Sequence, residues 1–400
     1  MTDPMMHHVR GHHLFEAWGD ESWTVDGAAV RVSLVCFDKS PDGLARLDGS
    51  IVPLVFADLS AERGGVDLTS AAQLPTNKGV AFQGPVKVGP FDIDADLARS
   101  WLKLPLNPNG RMNSEVLFPL LNGSDISRRS SDRWIVNFGE CSQSDAALFE
   151  SPFEYVKATV KPLRDKNRDK GRQEYWWRLG RSGRDLLEAS VKLRRAIYSP
   201  RVAKFRLFVW ASRATVPDSR VVAIARDDDT TFGILHSRFH ELWSLALGGW
   251  HGVGNDPQYT PSLGFETFPF PEGLTPNIPA AYYAADPRAL AIAETAARLN
   301  ELRENWLNPA DLVVREPEVV PGYPDRILPK DEAAAKELKK RTLTNLYNAR
   351  PQWLAQAHAA LDAAVAQAYG WGAEWAVGMS DDHILARLFA LNQARAAKGL

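Results

Sequence analysis

Cysteine is almost absent from this 400-residue chain: only Cys36 and Cys141 occur, far apart and in no CxxC arrangement. A disulfide scaffold and a cysteine zinc site are therefore both excluded. No stretch approaches the roughly 20 uncharged apolar residues of a membrane span, and the start, MTDPMMHHVRGHH, has no apolar core that could act as a secretion signal. The expected product is a soluble, cytoplasmic protein with no membrane partner. Neither sign of charge dominates, with 47 Lys and Arg against 49 Asp and Glu. With 45% apolar and 24% charged residues there is also no compositional sign of disorder, and the length suffices for two or three packed domains.

What is present is charge asymmetry. Between Lys157 and Arg206 stand 16 Lys or Arg and 5 Asp or Glu, a local excess of 16 − 5 = 11. Such a run can form a phosphate-binding surface or merely a solvated helix face. Tyr175, Trp176 and Trp177 lie inside it. Interleaved aromatics can stack on bases, or form a core wedge beneath the charged surface, the ordinary fate of Trp176 and Trp177.

Along the chain, Val30 to Phe37 (VRVSLVCF) reads as a buried strand, an unpaired one because little chain precedes it to supply a sheet. From about 59 to 274 short strand candidates (Arg133 to Phe138, Arg206 to Trp210, Val221 to Ala225) alternate with Gly, Pro and Asn loops. One helix is well marked there. Asp229, Thr230 and Thr231 offer N-cap oxygens, Phe232, Leu235, Phe239, Leu242 and Ala246 form a stripe, Gly248-Gly249 ends it, and Ser237, His240, Glu241 and Ser244 occupy the other face. After the proline-rich FETFPFPEGLTP (265 to 276), composition turns to Ala, Leu, Glu and Arg at helical spacing. Ile292, Ala296, Leu299, Leu302 and Trp306 make one stripe. Leu354, Ala357, Leu361, Val365 and Ala368 make another, entered through Pro351 at a first-turn position, with an irregular link over 307 to 330.

Several chemical motifs fail on context. His236 and His240 have zinc-ligand spacing, but no Glu follows the first and no third ligand is obvious. The terminal His7, His8, His12 and His13 form no motif. Pro324-Asp325 with Glu337-Leu338-Lys339 matches a PD-(D/E)xK nuclease pattern in letters only, since DEAAAKELKKR is helical and i, i+2 side chains diverge. Gly254 to Tyr259 (GNDPQY) imitates the (D/N/S)PP(Y/F) loop of amino-methyltransferases, with Gln258 in place of the second proline and no strand leading in. Gly249, Gly252 and Gly254 follow a helix, the reverse of the strand-glycine-helix order that binds a methyl donor.

Longer phrases carry a family resemblance. Residues 14 to 37 (LFEAWGDESWTVDGAAVRVSLVCF) resemble the end of the methyltransferase core in the MmeI-like restriction-modification family of adenine-specific DNA methyltransferases. The resemblance continues through NPNGRMNSEVLFPLLNGSDISRR (107 to 129), RWIVNFGE (133 to 140), YSPRVAKFRLFVW (198 to 210), IARDDDTTFGILHSRFHELWSLALG (224 to 248), GNDPQYTPSLGFETFPFPEGLTP (254 to 276) and RTLTNLYNARPQWL (341 to 354). It implies a mixed α+β fold in three parts: a remnant of a Rossmann-like methyltransferase core over 1–58, an α+β target-recognition domain over 59–274, and an α-helical C-terminal domain over 275–400. It also implies methyl transfer from S-adenosylmethionine to adenine N6 at a specific DNA site. The donor-binding and catalytic loops match nothing in this chain, so no catalytic, cofactor or metal residue is expected here.

The implied partner is double-stranded DNA. Expected phosphate contacts are Arg128 and Arg129 after the NGSDIS turn, Lys161, Arg164, Lys166, Arg168, Arg172 and Arg178 in the basic run, and Arg201, Lys204 and Arg206 at a strand entry. Expected base readers are Arg226, Arg238, Gln258, Tyr259 and Thr260. Three functions compete: a DNA-recognition module unable to methylate alone, an active methyltransferase completed in trans by a separate catalytic-half polypeptide, and a helical interaction protein that has lost DNA affinity.

Overall fold

A computed structural model describes residues 13–25, 28–39, 44–52, 55, 59, 68–251 and 256–399. His7, His8, His12, Gly252, Gly254 and Asn255 lie outside these. The fold is mixed α+β, as expected. It divides into two compact units: the described residues up to Ala72 with Ser380–Ala394, and Gln73–Met379 with Arg395 onward.

In the first unit, β1 (His13–Val25) and β2 (Ala28–Asp38) form a long antiparallel hairpin, joined by β3 (Ala45–Leu47) and β4 (Ser50–Val52) in the order β2-β1-β3-β4. Ala17, Ala45 and Val55 form its small core. Two expectations fail here. The VRVSLVCF strand is neither unpaired, since Leu34 lies opposite Trp18 and Val35 opposite Ala17, nor buried, since Leu34, Val35 and Phe37 are 37%, 40% and 49% exposed. A continuous apolar run indicates burial only when both faces of its sheet are covered.

The second unit carries β5 (Ala81–Gln83), β6 (Asp92–Asp94), β7 (Leu117–Leu121), β8 (Arg133–Val136), β9 (Arg195–Pro200), β10 (Val209–Ser212), β11 (Val216–Pro217) and β12 (Val221–Ile224). They make two sheets, β10-β9-β12-β5 and β11-β7-β8-β6. All pairs are antiparallel except β11 with β7. Strands β8 and β12 coincide with RWIVNF and VVAIA. The RLFVW strand is displaced to Val209–Ser212, because Leu207 and Phe208 are spent on the core before pairing begins. Strand β9 (RAIYSP) falls inside the basic run and was not expected as a strand. Trp134, Ile135 and Val136 of β8 pack with Phe153, Val156 and both Trp176 and Trp177, which are core and not base platforms.

The expected helix over 229 to 246 is two helices, Asp229–His236 and Arg238–Ala246. Ser237 breaks it by taking extended angles (φ −71°, ψ 156°) and capping the second helix through His240 N–H. The first is capped by Asp228, whose carboxylate accepts from Thr231 N–H. The break rotates the second helix, so that His240, Trp243 and Ser244 are buried while Leu242 is only half-buried. The C-terminal stripe of Pro287–Leu307 also turns. Ile292, Ala296 and Leu299 are buried as expected, but Arg303 and Leu307 continue it inward in place of Leu302 and Trp306. Pro351 is the N-cap of Gln352–Ala368 and lies just outside it. The link over 307 to 330 contains a hairpin, β13 (Val313–Glu316) with β14 (Arg326–Pro329). Gln73–Met379 pack as one unit across residue 275. No helix among the described residues is long and apolar enough to cross a membrane.

Candidate nucleic-acid interface

The basic run divides once its partners are known. Arg164 is buried and donates Nη2 to the carbonyls of Lys87 (2.9 Å) and Arg178 (3.0 Å). Arg178 binds the Cys141 carbonyl through Nε (3.1 Å) and lies 4.8 Å over the Tyr175 ring. Lys161 pairs with Asp165 (2.7 Å) and Arg172 with Asp169 (3.2 Å). Lys166 and Arg168 stand exposed. Tyr175 alone of the three aromatics faces solvent.

Several other expected DNA contacts, base readers and phosphate contacts alike, also serve the fold. Arg226 is buried, ion-paired to Asp228 (2.8 Å), bonded to the carbonyls of Pro276 and Ile278 (both 2.8 Å) and to Tyr283 Oη. Tyr259 is fully buried, and its Oη donates to His240 Nε2 at 3.1 Å. Arg238 pairs with Glu241 (2.8 Å) while its amide donates to Asp362 (2.7 Å). Arg129 braces Leu307 O and Asn308 Oδ1 at 3.0 and 2.9 Å. Lys204 donates to Asn348 Oδ1 at 2.6 Å. Thr260 Oγ1 accepts from Gln258 Nε2 at 3.1 Å. Arg206 is buried behind this loop.

Arg128, Arg201 and Gln258 do come together. They line one cleft of about 500 Å³ with Arg220, Ser124, Ser127, Gly123 and Val202. Three separate chain segments bring the arginines there. Arg128 ends the short helix Gly123–Ser127, whose entry is fixed by a capping box between Asn122 and Asp125. Arg201 leaves β9, and Arg220 enters β12. Their backbones are joined directly: Arg201 N–H donates to Arg220 O at 2.8 Å, and Tyr259 N–H to Arg201 O at 2.6 Å. A Cβ on Gly123 would stand 3.1 Å from Arg220 O, so only glycine allows this approach without displacement. Among the described residues, none of the three guanidinium groups has a hydrogen-bond or ion-pair partner, and no carboxylate lines the cleft. The cleft is therefore a set of convergent, unspent cationic donors with two hydroxyls, chemistry suited to phosphate oxygens or acceptor edges of bases. Arg220 was not anticipated, although it precedes the expected strand VVAIA much as Arg201 precedes RLFVW.

Two buried histidines behind the cleft are held neutral. His240 Nδ1 faces the Leu235 carbonyl at 3.0 Å and must donate, leaving Nε2 to accept from Tyr259. Burial, then the charge of Arg206, brings His240 down to about 3. Burial and Arg303 hold His236 well below the usual histidine range, and its Nε2 accepts from Arg303 at 2.6 Å. Neither histidine faces a site where a metal could bind, and among the described residues no cluster of His, Cys, Asp or Glu could hold one.

Residues 114–272 match the family model described as MmeI, target recognition domain. A solved structure described as the Type IIL restriction-modification enzyme MmeI in complex with DNA is similar in fold. The TM-score is 0.67 at 18% identity, over 98% of this chain and 47% of that one. This chain thus spans about half the length of that enzyme. No curated protein matches.

Proposed function

We propose that the chain, whose residues 114–272 match the family model of the MmeI target recognition domain, recognises double-stranded DNA for a site-specific adenine-N6 methyltransferase of the restriction-modification kind. The cleft carries this reading: the guanidinium groups of Arg128, Arg201 and Arg220 converge beside Gln258 without partners among the described residues. Guanidinium groups held on rigid strands and a capped helix can grip phosphate or the acceptor edge of guanine, while a glutamine beside them can address adenine. Exposed Lys166 and Arg168 would add backbone contacts of lesser weight. In this reading the N-terminal sheet is the last part of a methyltransferase core.

S-adenosylmethionine would be the donor of the intact enzyme, and the residues present do not fit it. Gly248 and Gly249 close a helix instead of opening one, and a Cβ on Gly248 would meet Gln258 O at 2.6 Å. That packing is set by protein backbone and leaves no cradle for a ligand. No step of methyl transfer is therefore assigned to this chain.

Fluorescence anisotropy with a mixed-sequence duplex tests the reading. Six or more phosphate contacts make affinity fall about 10³-fold or more between 50 and 200 mM salt. Absence of salt-sensitive binding at low ionic strength would overturn it.

A second reading, an active methyltransferase completed in trans, is favoured by the apolar surface of the first unit, where Trp23, Leu34, Val35 and Ile51 are all exposed. Labelled methyl groups should then reach DNA only when a polypeptide with the donor-binding and catalytic loops is added. Transfer by this chain alone would contradict both readings.

A further inference from the structure

Behind the cleft lies a cation with no anion. Arg206 is 6% exposed. Its Nε donates to Ser244 Oγ at 3.1 Å, its Nη2 reaches Gln258 O at 3.5 Å, and its guanidinium carbon sits 4.8 Å from the Tyr259 ring centroid. Among the described residues no carboxylate forms an ion pair with it. A buried guanidinium without a counterion is costly, and an apolar side chain of similar volume would fill the same space at no such cost. Burial brings Arg206 down to about 10, so it stays charged at neutral pH. Core filling does not explain the choice of arginine.

Two of its three contacts end on consecutive residues, Gln258 and Tyr259, and these carry the cleft. Gln258 lines it and bridges to Val202, which lines it too. Tyr259 holds the Arg201 carbonyl through its amide at 2.6 Å and is itself pinned by His240. Moving the 258–259 backbone would therefore move both Arg201 and Gln258.

We propose that Arg206 is a positioning residue for the cleft: it clamps the Gln258 carbonyl and the Tyr259 ring, and through the Tyr259 amide the Arg201 backbone, on which the cleft's side chains are mounted. Its consequence for DNA rests on the proposed function, but the clamp itself can be tested without DNA.

The test uses the full chain with Arg206→Met and Arg206→Lys, read by hydrogen exchange, thermal unfolding and binding to the mixed-sequence duplex. In R206M the Tyr259 amide should exchange at least about tenfold faster while the amides of β12 keep their protection, because the clamp is local. The melting temperature should hold or rise, since an unpaired buried charge has been removed. Duplex affinity should fall about tenfold, and R206K should recover part of both losses.

Unchanged exchange at Tyr259 overturns the proposal whatever happens to DNA binding. So does a fall in melting temperature with protection lost equally across β12, which would make Arg206 a general support of the fold. If the wild type binds DNA and R206M binds it as tightly, the proposed link to the cleft is also overturned. If the wild type does not bind DNA, the functional reading fails alone and the exchange data still decide the clamp. Should R206M not fold, the same comparison in R206K decides it.

Discussion

Between Lys157 and Arg206 the chain concentrates 16 cationic side chains, whereas the cleft takes just one of them, Arg201, and adds Arg128 and Arg220 from outside the run. In the run, Lys161 and Arg172 are matched to aspartates three or four residues away, Arg184 to Glu188 at 2.6 Å, and Arg164 and Arg178 to backbone carbonyls. In the cleft none of the three arginines has a partner among the described residues. Charge density along a sequence thus measures supply. Capacity to bind an external anion depends on what remains after the fold has used its share.

Four measurements test this contrast. The largest effect is expected from Arg128→Ala, Arg201→Ala and Arg220→Ala combined. Loss of three charge-assisted contacts should weaken duplex binding by about 10² to 10³, and the slope of log affinity against log salt should fall by about 2.7, at about 0.9 per phosphate. Next, Arg164→Ala should lower unfolding stability by about 3 kcal/mol in urea, because two buried carbonyls lose a charged donor, while the folded fraction binds DNA normally.

The wall behind the cleft supplies the third. His236, His240 (about 3) and His358 (about 4) are neutral when folded and protonate on unfolding, so stability is present above the unfolded value near 6.5 and is lost as pH falls. Asp362 opposes them. Burial lifts it to about 7, so the folded state holds its proton and gains stability as pH drops from about 7 toward 4. Three histidines outweigh one aspartate, and unfolding stability should fall by about 2 kcal/mol between pH 6.5 and 5 in calorimetry. The smallest effect is Lys161→Ala with Arg172→Ala. These exposed pairs contribute little, so duplex affinity should stay within about threefold and the melting temperature nearly fixed.

Local pattern made much of the second unit legible. Strands β8 and β12 and the apolar stripes at Ile292 and Leu354 follow from periodicity, while the cap falls on Asp228, one residue before the expected Asp229. What escaped was decided at longer range. Strand β9 has no apolar alternation beyond Ala196, Ile197 and Tyr198 and sits among cations, yet it pairs on both sides, with β10 and β12. Ser237 splits a helix because its hydroxyl caps the next turn, a choice a hydroxyl in an otherwise helical pattern does not declare. Arg206, Arg226 and Arg303 turn inward because carbonyls, a histidine and aromatic rings wait there, 38, 50 and 95 residues away in sequence for Ser244, Pro276 and Phe208. Of the expected DNA contacts, Arg128, Arg201 and Gln258 converge on one cleft, and Arg220 joins them through a turn whose partner in space was not apparent.

The central claim is that DNA rests on the cleft and not along the matched part of the basic run. Arginine-specific modification with phenylglyoxal, read by mass spectrometry with and without a mixed-sequence duplex at low salt, addresses it directly. Arg128, Arg201 and Arg220 should lose most of their reactivity on adding DNA, while Arg172, paired with Asp169, keeps its own. Protection of Arg172 with the three cleft arginines left reactive would contradict the account.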